Sequence, residues 1–230
     1  MDHIAAEADG LEGAEAEKVL DSTHAICPPA VQLTRNLDAS FSFFDVGNER
    51  TCKLRVNVVE RHTLQNYQDG AYRKINGTLR RGKTLRGDTG TLISAMDAVF
   101  ARAPRLEETS ILFRGGSFKG AQKLKRGKKF TDKGFVSTTT QESVARNFMD
   151  DDLDKPGGNA VLFRIQAGRG TRGIWMGQAT GYGREAEFVF PRNTRFRVQR
   201  VVPHYYRLWD DKLEYTEVHL RVLRPWDPDY

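Results

Sequence analysis

The chain has 230 residues, of which 39% are hydrophobic, with 13 phenylalanines and a net charge of +6. That suits one large domain with a real core, or a domain plus an extension. No run of 18 apolar residues occurs, which argues against a membrane-spanning helix. The two cysteines, Cys27 and Cys52, are too few for a disulfide scaffold, and the five histidines fall in no metal-binding spacing, so no metal is expected.

The charge is unevenly spread. Residues 1–21 hold Asp2, Glu7, Asp9, Glu12, Glu15, Glu17 and Asp21 against Lys18. With the later Cys27-Pro-Pro and Phe41-Ser-Phe-Phe44, this marks residues 1–45 as an extension, partly disordered or docked through its aromatic end, with a short helix over Ala5–Leu20. No basic stretch leads into an apolar core there, so a Sec signal peptide is not expected. Residues 46–230 form the main domain.

Helical signals come first. Val59, Leu64 and Tyr67 are loosely periodic, and Ala71, Ile75 and Leu79 share a helix face that stops at Gly82. Asp88 and Thr89 are placed to cap a further helix carrying Leu92, Met96, Val99 and Phe100, which Pro104 ends. Lys119, Lys123, Lys125, Arg126, Lys128, Lys129 and Lys133 then form a basic run. It reads as a solvated loop rather than a nucleic-acid site, since only Phe130 is interleaved for stacking.

Strands follow: 111–116, 134–140, 160–165, 185–190, 195–202 and 213–223. Thr139-x-x-Glu142 reads as a capping box opening a helix that carries Val144 and Phe148. In the last strand Tyr215, Glu217, His219 and Arg221 alternate with Thr216, Val218, Leu220 and Val222. Helices followed by strands argue for an α+β fold.

Three polar points sit at strand ends: Arg114, Ser137-Thr138-Thr139 and Glu185-x-Glu187. The two glutamates project to the same side, roughly 7 Å apart, while Phe188 and Phe190 face a core. An arginine fixed on a strand end suits a pyrophosphate, and Gly115-Gly116 lets backbone approach a planar ligand. A serine on a neighbouring strand can orient a carboxylate, which in turn stabilises a sugar oxocarbenium ion.

Aromatic-Arg-Gly, Phe-x-Ser-Thr-Thr and Glu-x-Glu, in that order, resemble the Arg-Ser-Glu class of mono-ADP-ribosyltransferases. Tyr72-x-x-Ile-Asn76 with Leu79-Arg80, and the apolar triplet with Pro-Arg-Asn-Thr-x-Phe after Glu187, are similar to bacterial toxins and effectors of that class. The likeness covers residues 56–225. It implies two packed, roughly perpendicular antiparallel sheets with an NAD cleft between them and a helical lobe over residues 56–103.

The resemblance implies that Arg114 grips the NAD phosphate and ribose, and that Gly115 meets the nicotinamide amide. Ser137, with Thr138, orients the glutamate and supports the nicotinamide pocket, which Phe148 lines. Glu187 holds the ribose 2′-hydroxyl and stabilises the cation. Glu185 implies an arginine acceptor, with Tyr182 in the recognition loop. NAD is then a co-substrate, the acceptor is an arginine of a host protein, and nicotinamide is released by a monomer that needs neither metal, nucleic acid nor membrane. The resemblance also suggests a secreted, type III-like virulence effector acting in a host cytoplasm.

Two features depart from the pattern. The triplet ends in threonine rather than serine, and Arg184 adds a positive charge beside Glu185. They keep open a protein-binding pseudoenzyme and an NAD glycohydrolase as alternatives.

Overall fold

The computed structural model describes residues 43–46, 54–84, 86–153, 160–176, 186–208 and 211–227. All belong to the unit Leu33–Tyr230. Cys27, Cys52, the Ala5–Leu20 helix and nearly all of the expected extension lie outside the described residues.

A two-stranded ribbon, β1 (Phe43–Val46) and β2 (Leu54–Asn57), leads into the helices. The first helix, α1 (Val58–Asn66), opens on a capping box that the sequence reading passed over. Asn57 Oδ1 accepts from the Glu60 N–H at 2.9 Å, and Glu60 accepts from the Asn57 N–H at 3.0 Å. Leu64 is buried as its spacing requires, but Val59 is 69% exposed.

The helix then widens into a π-turn over Tyr67–Ala71, in which Gly70 takes φ +118°, before α2 (Tyr72–Arg80). That φ is costly for any residue with a Cβ, and it kinks the chain between α1 and α2. α2 buries Ile75 and Leu79 as expected, and Asn76 with them.

α3 (Gly87–Ala101) buries Ile93, Met96, Val99 and Phe100. Its cap is Arg86, which makes no side-chain cap bond. Asp88 therefore lies inside the first turn, where its charge meets the positive end of the helix dipole. Leu54, Val56 and these helices share one apolar cluster with Phe135, Ile174, Met176 and Val189.

The remaining strands are β3 (Ser110–Ser117), β4 (Lys129–Asp132), β5 (Val136–Thr139), β6 (Ala160–Ala167), β7 (Ile174–Trp175), β8 (Glu187–Phe190), β9 (Thr194–Leu208) and β10 (Asp211–Leu223). They form one ladder in the order β4-β9-β10-β6-β3-β5-β8-β7. The basic run thus contains a paired strand, β4, rather than being loop throughout.

Every pairing in this ladder is antiparallel except one. β10 and β6 run parallel, because a whole excursion through β7, β8 and β9 separates them and no hairpin dictates their sense. β3 and β5 share the single pair Phe113↔Thr139. The two halves joined there contribute to one cluster, with Leu112, Phe163, Phe196 and Val218 from one half and Val136, Trp175, Phe188 and Phe190 from the other.

The helix after β5, α4 (Glu142–Leu153), packs its Ala145 and Met149 on the other face, with Leu162, Tyr215 and Phe113. Its entry differs from the expected capping box. Thr139 Oγ1 accepts from the Gln141 N–H at 3.0 Å, one residue too early, and Glu142 pairs with Arg146 instead. α4 lies so close to β3 that a Cβ on Gly115 would sit 1.7 Å from the Ala145 carbonyl oxygen.

Gly115→Ala therefore forces helix and strand apart. It should destabilise the fold by about 3 kcal/mol. Thermal unfolding checks this, with an expected fall in Tm of roughly 6–12 °C for a domain of this size.

Candidate active site

A cavity of about 890 Å³ opens where the helices meet the junction of β3, β5 and β8. Arg114, Gly115, Ser137, Thr138, Phe148 and Glu187 all line it, together with Tyr67, Gln68 and Tyr72. Glu185 and Tyr182 lie outside the described residues.

The strand register brings the three predicted points together. Glu187 pairs with Thr139 across β5–β8, one residue along from the Thr138↔Phe188 pair. Phe188 and Phe190 turn into the core, as alternation requires, and leave Glu187 half-buried on the opposite side. Ala186, just before it, sits at φ +42°, a left-handed conformation that costs a residue with a Cβ of order 1 kcal/mol. Thr138 ties β5 to β8 by donating to the Phe188 carbonyl at 2.6 Å.

Arg114 follows the buried Leu112 on β3 and reaches across to β5, where its Nη1 donates to the Ser137 carbonyl at 2.7 Å. Among the described residues no carboxylate lies within ion-pairing distance of it. Burial, and then the like charge of Arg80, pull its guanidinium below the usual arginine value, while Tyr67, Asp132 and Glu187 oppose that shift. Arg80 itself is held by a two-pronged ion pair to Asp132, at 2.9 Å on each side. A second cavity of about 480 Å³ lies beside Arg114, lined also by Arg80, Lys119 and Lys133. The neighbourhood of Arg114 thus has spare positive charge, which suits an anion.

Behind the site stand Asn76, which closes the Tyr72-x-x-Ile-Asn76 motif, and Tyr67, whose hydrogen bonds the sequence does not reveal. Asn76 is buried and bridges two elements: its Oδ1 accepts from the Phe135 N–H at 2.8 Å and its Nδ2 donates to the Tyr67 hydroxyl at 3.1 Å. The Tyr67 hydroxyl lies 3.3 Å from Ser137 Oγ and 3.5 Å from the Phe135 carbonyl. Burial, the largest influence, pushes the Tyr67 phenol up, outweighing its hydrogen bonds to Ser137 and Asn76, so it stays protonated at neutral pH.

The expected partner of Glu187 was Ser137. The Ser137 hydroxyl instead meets Tyr67, and the side-chain amide of Gln68 donates to Glu187 Oε2. The available signal was Asp69-Gly70, a turn dipeptide inside a helical register. Phe148 is 49% exposed on the cavity rim, rather than packed in a core.

The chain belongs to the ADP-ribosyltransferase exoenzyme family, whose model matches residues 44–223. Exoenzyme T of Pseudomonas aeruginosa is 29% identical over 133 residues, 57% of this chain and 27% of that protein. The NAD(+)–arginine ADP-ribosyltransferase EFV of Enterococcus faecalis is 27% identical over 143 residues, 61% of this chain and 28% of that protein. The matches thus take in about a quarter of the length of these curated relatives.

Among solved structures, Plx2a, an ADP-ribosyltransferase toxin from Paenibacillus larvae, superposes with a TM-score of 0.57 at 19% identity, over 73% of this chain and 87% of that one. Pseudomonas aeruginosa Exoenzyme S, solved with human 14-3-3 protein beta and Carba-NAD, gives 0.55 at 23%, over 70% and 72%. These likenesses establish the fold.

Tyr67→Phe removes the hydroxyl that Asn76 and Ser137 share. It should cost about 1–3 kcal/mol by leaving a buried amide donor unpaired. Denaturant unfolding checks this, with the midpoint lowered and the slope unchanged.

Proposed function

We propose that this chain transfers ADP-ribose from NAD to the guanidinium of an arginine in a host protein, releasing nicotinamide. The observation that carries the reading is the convergence of Arg114, Ser137 and Glu187 on one cavity, in a chain of the ADP-ribosyltransferase exoenzyme family. An arginine acceptor is supported by the Enterococcus relative, named as an NAD(+)–arginine ADP-ribosyltransferase, and by Glu185 in the sequence.

In this reading Arg114 receives the diphosphate. One of its five N–H groups is spent on the Ser137 carbonyl, which fixes the guanidinium plane and leaves the others for phosphate oxygens. Gly115 and Gly116 offer backbone to the nicotinamide, and Phe148 covers it from the rim. Ser137 and Thr138 shape the floor of the pocket.

The C1′–N1 glycosidic bond breaks, and its electron pair leaves with nicotinamide. Positive charge builds on the ribose C1′–O4′ unit. Glu187, beside it, holds the 2′-hydroxyl and stabilises that charge more than it stabilises the ground state. A guanidinium nitrogen attacks C1′, and Glu185 takes the proton it loses. With water in place of the guanidinium the same site would hydrolyse NAD.

Secretion from a bacterium and action in a host cytoplasm belong to the same proposal, supported by relatives named as an exoenzyme and a toxin. Residues 1–45 are proposed as a segment separate from the transferase domain. We take the protein to work as a monomer, without nucleic acid or membrane. Among the described residues no group is placed to hold a metal, and no helix is long and apolar enough to cross a membrane.

Transfer of labelled ADP-ribose to agmatine and to a host lysate tests this. Wild type should label both. Glu187→Ala should lower transfer and nicotinamide release by about 10³-fold, the scale of losing one transition-state charge contact. Glu185→Gln should abolish transfer while sparing hydrolysis. A wild type that neither binds nor turns over NAD would favour the pseudoenzyme reading.

A further inference from the structure

Gln68 sits at the second position of the π-turn and lines the cavity between Tyr67 and the exposed Asp69. Its two amide ends meet different fates. Nε2 donates to Glu187 Oε2. Oε1 is buried and, among the described residues, has no hydrogen-bond partner. The reverse orientation would set the carbonyl oxygen against a carboxylate, two acceptors facing each other, so Glu187 dictates which end is which. A buried amide carbonyl left unsatisfied costs about 1–3 kcal/mol, so one that faces a cavity is suited to a donor arriving from that cavity.

The backbone supports the same conclusion. Gln68 stands in the last helical turn before a kink, where Gly70 takes φ +118° and breaks the register of α1. Irregular turns inside helices recur at functional sites. Here one flanks the amide that meets the carboxylate the reading above makes central.

We propose that Gln68 has two roles in this site. Through Nε2 it is a positioning residue that fixes the rotamer of Glu187. Through Oε1 it is a binding residue that accepts one hydrogen bond from an N–H or O–H of the bound reactants. That donor is either a ribose hydroxyl of NAD or a guanidinium N–H of the arginine acceptor. The inference rests on the transferase reading, and on nothing in the loop before Ala186.

Two substitutions separate the roles. Gln68→Met keeps the shape and removes both the donor and the acceptor. Gln68→Glu keeps an acceptor oxygen but replaces the donor with a second carboxylate. Nicotinamide release without acceptor, agmatine transfer, NAD binding by calorimetry and Tm are measured for each beside wild type. Both variants should lower kcat for NAD hydrolysis by about 10- to 100-fold, the scale of a hydrogen bond to a charged group.

The ligand contact should appear in Gln68→Met and be recovered in Gln68→Glu. If the donor is a ribose hydroxyl, Gln68→Met weakens NAD binding about 10-fold and leaves the KM for agmatine unchanged. If it is the guanidinium, the KM for agmatine rises about 10-fold and NAD binding is unchanged. A merely structural residue would lower Tm without either split.

Wild-type kcat, NAD affinity and agmatine KM in a folded Gln68→Met would overturn the inference and leave the transferase reading standing. A wild-type protein that does not bind NAD would remove both.

Discussion

One buried amide holds the site together. Asn76 on α2 caps the N–H of Phe135 at the head of β5 and donates to Tyr67 in the π-turn. Tyr67 then reaches Ser137, and the carbonyl of the same Ser137 receives Arg114 from β3. Four elements are thereby fixed by a chain of hydrogen bonds, three between neutral groups and the last donated by the Arg114 guanidinium. Each bond contributes about 1 kcal/mol net, but an orphaned member costs more than that, so the chain is kept whole or lost as a unit.

Around that chain the electrostatics divide into two zones. Arg114, Arg80, Lys119 and Lys133 gather positive charge on one side, with Asp132 spent on Arg80. Glu187 lies on the other, oriented by an uncharged amide that fixes its direction without adding countercharge. A dianionic diphosphate at one end and a developing sugar cation at the other need this separation. The halves of the sheet meet at a single residue pair, Phe113↔Thr139, and the cavity opens at that seam, where a ligand can reach side chains from both. The seam is closed from behind by α4, which comes so near β3 that no side chain fits at Gly115.

Much of this was legible in the sequence, for physical reasons. Period-two alternation set Glu187 against Phe188 and Phe190, and i, i+4 spacing placed Ile75 and Leu79 inward, because both depend only on local geometry. The order of Arg114, Ser137 and Glu187 was readable from the short motifs around them, although Arg114 lies inside β3 rather than at its end. What escaped depends on distant contacts. Asn76 stood in a recognisable motif, but its bonds to Phe135 and Tyr67 depend on residues that only the fold brings beside it. The parallel pairing of β10 with β6 follows from chain reversal over many residues. Thr139 carried a capping-box pattern that the actual helix start, three residues on, did not use.

The account stands or falls on whether the buried chain sets the site's affinity from outside the cavity. Asn76 does not line the cavity, so NAD titration of a folded Asn76→Leu protein, measured well below its unfolding midpoint, is the most direct test. Loss of one orphaned network member corresponds to roughly a tenfold weakening or more. A folded variant that binds NAD ten times or more weakly than wild type would agree with the account. Wild-type affinity in that variant would contradict it.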